Sequence, residues 1–83
     1  MTQIKTYEIH ALWDEDAHVW VAESDDVPGL VTEAETVEQL IRKLQGLIPE
    51  LLEANGLLEP SAQTEIPFHL LSERMEMARC GVR

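Results

Sequence analysis

The stretch from Trp20 to Thr36 (WVAESDDVPGLVTEAET) leaves this chain little freedom in what it can become, because it spells out a strand, a turn, a second strand and a helix start. Trp20 to Ala22 is rich in residues that suit a pleated sheet. Pro28-Gly29 fits the two central positions of a type II turn, where proline presets the first φ and glycine takes the positive φ that follows. Leu30 to Glu33 then reads as a short strand, and Thr36 opens a helix.

That helix is written in its apolar spacing. Val37, Leu40, Ile41, Leu44, Leu47, Ile48, Leu51 and Leu52 follow the i, i+3, i+4, i+7 rule without a gap. Thr36 and Gln39 form a capping-box pair at its start. Gly56 suits the left-handed position just past its end, with Leu57 placed to fold back on Leu52. Pro49 deletes the bond to the Gln45 carbonyl and crowds the preceding turn. Gly46 relieves that crowding, so a bend is expected there and not a break.

Before the turn, Gln3 to Trp13 alternates like a strand, with Tyr7, Ile9, Ala11 and Trp13 on one face and Thr6, Glu8, His10 and Leu12 on the other. Asp14 to Ala17 reads as a hairpin loop, and His18 to Ser24 as the returning strand. An even loop places Trp20 and Ala22 on the face of Ala11 and Trp13. An odd loop puts them on the reverse, since a register shift of one flips every side chain. Both faces carry apolar groups in either case, and one helix covers one face. Residues 58–64 form a linker, and Ile66 to Leu71 a last strand with Ile66, Phe68 and Leu70 on one face. Pro67 within it demands an edge or a bulge. The expected fold is α+β, in the order β-β-β-α-β, with one helix packed on an antiparallel-rich sheet. Residues 1–71 make up that domain, and 72–83 a tail in which Arg74 to Met77 alternate like a strand while Leu71, Met75 and Ala78 would fit a helical face; the expectation is a strand to about Glu76 with disorder beyond.

Charge narrows the function. Sixteen Asp and Glu stand against six Lys and Arg, a net charge of −10 that residues 1–60 carry entirely. Such a surface repels phosphates, so no direct nucleic-acid partner is expected, whereas a basic protein would be attracted. The chain has no apolar run long enough to cross a membrane and no secretory leader, so a cytoplasmic protein is expected. Cys80 is alone, which excludes a disulfide framework within one chain. His10, His18 and His69 lack metal-ligand spacing, and no cofactor loop or nucleophile–base pair is visible. Asp14, Glu15, Asp16, Asp25 and Asp26 could gather as a carboxylate cluster near one end of the sheet, which in a nuclease would hold magnesium. Asp is equally a turn residue, and Trp13 and Trp20 are read first as packing residues.

The aromatic-Val-Ala of Trp20 to Ala22, the D-x-P-G-L of Asp26 to Leu30 and the T-x-E-A-x-T of Thr32 to Thr36 resemble the HicB-like antitoxins, and more closely a group of short relatives without a DNA-binding C-terminal region. The likeness runs over roughly residues 4–71. It implies a reduced RNase H-like sheet-and-helix domain that dimerises, and a small basic ribonuclease toxin as the protein partner whose active site is blocked. Longer relatives carry a ribbon-helix-helix or helix-turn-helix for DNA. Only twelve residues come after Leu71 here, too few for either. The resemblance brings no catalytic residue with it.

The expectation is therefore a non-enzymatic binding module of antitoxin type, without cofactor. Its candidate partner contacts are Asp14, Asp16, Trp20, Asp25 and Asp26. A homodimer is expected through the second sheet face or the last strand, with Phe68 and Leu70 near the contact. The alternatives are a metal-dependent nuclease remnant of RNase H-like type built on Asp14, Asp16 and Asp26, or an orphan domain of unknown function. Under the binding reading, replacing Asp14 and Asp26 by Asn leaves fold and dimerisation intact.

Overall fold

A computed structural model describes residues 5–57 and 65–81. The expected strand start at Gln3 and the linker 58–64 lie outside the described residues. The order is β1 (Tyr7–Asp14), β2 (Val19–Glu23), β3 (Val31–Ala34), α1 (Val37–Ala54) and β4 (Phe68–Glu73). This is the expected β-β-β-α-β arrangement.

The four strands form one sheet in the order β3-β2-β1-β4. β1 pairs antiparallel with β2, and β2 antiparallel with β3, whereas β4 lies parallel to β1 with Tyr7 opposite Phe68 and Leu12 opposite Glu73. The hairpin takes the even option. Trp13 faces Trp20 and Ala11 faces Ala22, which leaves Leu12 opposite Val21 on the reverse. Asp14 closes that loop. Its Oδ1 accepts the backbone N–H groups of Asp16 and Ala17 at 3.0 and 3.1 Å, and His18 takes the positive φ of 56° that completes the turn.

One helix covers one face. Leu40, Leu44, Ile48 and Leu52, each one turn apart, are buried in a single cluster with Ile9, Ala11, Ala22, Val27, Leu30 and Ala34. The sheet contributes alanines at the centre of that contact, so a helix carrying leucines can approach closely. Tyr7, Trp20, Ile66, Phe68 and Leu70 pack around the cluster, which confirms the shared face of Ile66, Phe68 and Leu70.

The helix ends as its residues dictate. Thr36 Oγ1 accepts the Gln39 N–H at 3.1 Å, satisfying one of the orphan donors of the first turn. At the other end Gly56 has φ 68°, its N–H donates to the Glu53 carbonyl, and the Leu57 N–H donates to Leu52 at 2.8 Å. These two bonds make a Schellman cap, with the Leu57 side chain about half exposed and Leu52 fully buried. Pro49 sits inside the helix, which runs through it unbroken. Thr36→Ala is expected to remove about 1 kcal/mol and lower Tm by about 4–8 °C in a calorimetric scan. An unchanged Tm would mean that tertiary packing alone sets this helix start.

The turn over Val27 to Leu30 is the expected one. Gly29 has φ 80°, and the Leu30 N–H donates to the Val27 carbonyl at 3.2 Å. β4 differs from expectation at its end. It stops at Glu73, opposite Leu12, and not near Glu76; β1 runs only two residues further, to Asp14, before the hairpin carries the chain away. Pro67 precedes β4, which is an edge strand, and its carbonyl accepts the Tyr7 N–H at 3.2 Å.

Candidate functional site

The helix-free face of the sheet is built from the alternate residues of every strand. His10 stands between Glu23 on β2 and Leu71 on β4, directly opposite each. One row further along, Glu8 lies beside His69, whose Nδ1 is 3.1 Å from the Glu8 carboxylate. A second contact of this kind joins His10 and Glu73 at 3.6 Å. Leu12, Val31 and Leu71 add apolar surface to this face and are largely exposed.

At the end of the sheet where β1 begins, this face dips into a concavity of about 300 Å³. Glu8, His10, Glu23, Ser24, Asp25, Asp26 and Leu71 line it. The carboxylates there have different local duties. Asp26 Oδ2 accepts the Glu8 N–H at 2.7 Å, so it is part of the wall. Ser24 Oγ donates to the Glu8 carbonyl at 2.6 Å and accepts the N–H groups of Asp26 and Val27 at 3.0 and 3.2 Å. Glu8 faces His69. Glu23 and Asp25 are exposed and have no side-chain partner among the described residues. Two unpaired carboxylates beside a leucine suit a Lys or Arg side chain, whose apolar stem and charged head want both surfaces.

The expected carboxylate cluster does not assemble. Asp14 and Asp16 lie at the β1–β2 hairpin, whereas Asp26 is tied to Glu8 at the opposite end of β1. Six residues of strand separate Glu8 from Asp14, about 20 Å. Among the described residues no three His, Cys, Asp or Glu are grouped so as to hold a metal ion. Trp20 is on the helix side, edge-on to Trp13 with ring centroids 5.4 Å apart, so it does not share a surface with Asp25 and Asp26. Phe68 and Leu70 likewise pack against the core from the edge strand. Of the five candidate partner contacts, the structure brings Asp25 and Asp26 together and leaves the other three elsewhere.

Glu8, His10, Glu23 and Ser24 are the additions to the site. Their signal in the sequence was the alternation that sets Glu8 and His10 opposite Ile9 and Ala11. Only the hairpin register brings Glu23 beside them.

Among the described residues no helix is long and apolar enough to cross a membrane. Residues 6–81 match the family described as Domain of unknown function (DUF1902). A solved structure, that of a hypothetical protein from the extremely thermophilic bacterium Thermus thermophilus, is similar at 49% identity and a TM-score of 0.67, covering 90% of this chain and 99% of that one. No curated protein matches.

Proposed function

The chain belongs to the DUF1902 family, and from its geometry we propose a non-enzymatic, HicB-like protein-binding module, an antitoxin-type neutraliser that captures a small basic ribonuclease on the open sheet face. The observation that carries the reading is the concavity with Glu23 and Asp25 unpaired at its rim. A basic side chain entering it exchanges water for two carboxylates and for the Leu71 surface. The net charge of −10 steers a cationic partner toward the face from a distance. The strand–turn–strand–helix segment from Trp20 to Thr36, with its resemblance to HicB-like antitoxins, supports the partner class. Metal-dependent cleavage has no support from the acid geometry, since Asp14 and Asp16 stand about 20 Å from Asp26 along β1.

The test looks beside this chain's gene for a short basic reading frame, whose absence would count against the reading, and titrates its product calorimetrically at low and at high salt. Glu23→Gln with Asp25→Asn is expected to weaken binding about tenfold or more, because each removes a charge from a close pair. Wild-type affinity should fall as salt rises, since screening limits exposed charges to about 8 Å at physiological ionic strength. Affinity indifferent to both salt and the double variant would sink the reading. So would RNA cleavage by the purified chain with Mg²⁺.

A further inference from the structure

β4 is an edge strand, and the chain runs on past its end at Glu73. From Arg74 to Gly81 the backbone forms no element and makes no turn, loop or cap hydrogen bond among the described residues. Met75 and Met77 are 88% and 87% exposed, more than any other large apolar side chain described. The radius of gyration is 16.1 Å, against about 12 Å for a compact domain of this length. The segment is less acidic than the rest, with Arg74 and Arg79 against Glu76, whereas residues 5–57 hold twelve Asp and Glu against three Lys and Arg.

We propose that Leu70–Cys80 is one strand whose second half is completed only by a second copy, the two β4 edges pairing antiparallel about a two-fold axis at Met75. Backbone direction sets the first constraint. The Pro67 carbonyl points at β1, so by alternation the N–H and C=O groups of Phe68, Leu70 and Ser72 point away from the sheet, as do those of Arg74, Glu76, Ala78 and Cys80 if the strand continues. The continuation is already visible in Arg74, whose guanidinium lies 4.1 Å over the Trp13 ring on the helix side, where even-numbered positions belong.

Charge sets the second constraint. With the axis at Met75, Arg74 of each copy faces Glu76 of the other, and this pair is made twice. Axes at Glu73, Arg74 or Glu76 would put like charges face to face. The Met75 axis also places Leu70 opposite Cys80 and Ser72 opposite Ala78. All six even-numbered pairs then lie in the hydrogen-bonding phase, about twelve ladder bonds in total. Met75 and Met77 fall on the open face, next to Leu71 and Glu73 of the other copy. The interface is isologous, so it closes as a dimer and does not propagate. It joins two four-stranded sheets into one of eight, and it covers an edge that would otherwise invite aggregation.

Arg74 and Glu76 also form an ion pair within one chain, so the test must separate the two origins. Arg74→Glu and Glu76→Arg each break the internal pair and set like charges across the axis. Each is expected to raise the dimer dissociation constant about tenfold. An equimolar mixture of the two variants should recover wild-type dimerisation, since opposite charges then meet only between chains. Register is tested independently in a Cys80→Ser background. Met75→Cys should cross-link under mild oxidation, because non-hydrogen-bonded partners lie about 4.5 Å apart at Cα, within disulfide reach. Met77→Cys should not, as its two copies are offset by four residues, about 13 Å. A wild-type mass of 9.4 kDa by light scattering at tens of micromolar would overturn the proposal. A mixture no tighter than its parts, or equal cross-linking at positions 75 and 77, would do the same. None of this depends on the basic-partner reading.

Discussion

Leu44→Asp is expected to leave the chain unfolded at 25 °C. Leu44 is fully buried at the middle of the helix, one turn from Leu40 and one from Ile48, and its cluster is the core of the described fold. No buried polar or charged residue is present there to receive a carboxylate. The variant either buries an uncompensated charge or protonates, and it loses the leucine packing in both cases. An 83-residue domain has only about 4–12 kcal/mol of stability to lose. The leucine alone is worth about 2–5 kcal/mol by truncation, and the buried carboxyl adds several more. Leu44→Ala should therefore remain folded or marginal, with a lowered Tm, and Leu44→Asp should show no cooperative melt by circular dichroism. Gln45→Asp, one position on and exposed, should stay within about 0.5 kcal/mol of wild type. A cooperative wild-type melt for Leu44→Asp would mean that the helical stripe is not what holds the fold.

That stripe, the Thr36 cap, the Gly56 cap and the Pro28-Gly29 turn were legible because each is decided within a few residues. The strand faces were legible too, once the loop of four between Asp14 and Val19 is granted. β4 was harder. Its alternation says which residues share a face, but nothing local says that it lies beside β1 and parallel to it. That choice follows from where α1 delivers the chain. The end of β4 was misjudged for a related reason. Alternation persists past Glu73 through Met75 and Met77, yet a strand also needs a neighbour, and β1 runs only two residues past the row of Leu12 and Glu73. The acid cluster failed because Asp14 and Asp26 look alike in sequence, each a turn aspartate beside a strand. β2 carries them to opposite ends of the sheet. Both prove to be structural acceptors, a role that the side-chain carbonyl of Asn can keep and that Ala cannot.

Asp25 and Asp26 are adjacent, and mutation should assign them opposite roles. β2 ends at Glu23, opposite His10, so Glu8 lies beyond the ladder that β2 can supply. Side chains replace that ladder. Asp26 takes the Glu8 N–H, and Ser24 takes the Glu8 carbonyl as acceptor for its hydroxyl while receiving two N–H groups of the turn. The clasp holds the turn against β1, and from that turn Val27 and Leu30 enter the core as buried residues. A hydrogen bond to a charged group contributes about 1.5–3 kcal/mol when sheltered, and less here because Asp26 is partly exposed. Ser24→Ala with Asp26→Ala is thus expected to cost about 2–3 kcal/mol, lowering Tm by roughly 10–20 °C. Asp25→Asn touches none of these bonds and should stay within about 0.5 kcal/mol, while still weakening capture of a basic partner. Thermal melts of the two variants decide the matter. If the double variant melts within about 2 °C of wild type, the clasp is dispensable and Val27 and Leu30 are held by packing alone. If Asp25→Asn is the destabilising one, the concavity's free carboxylate has a structural partner, and its place in partner recognition falls with it.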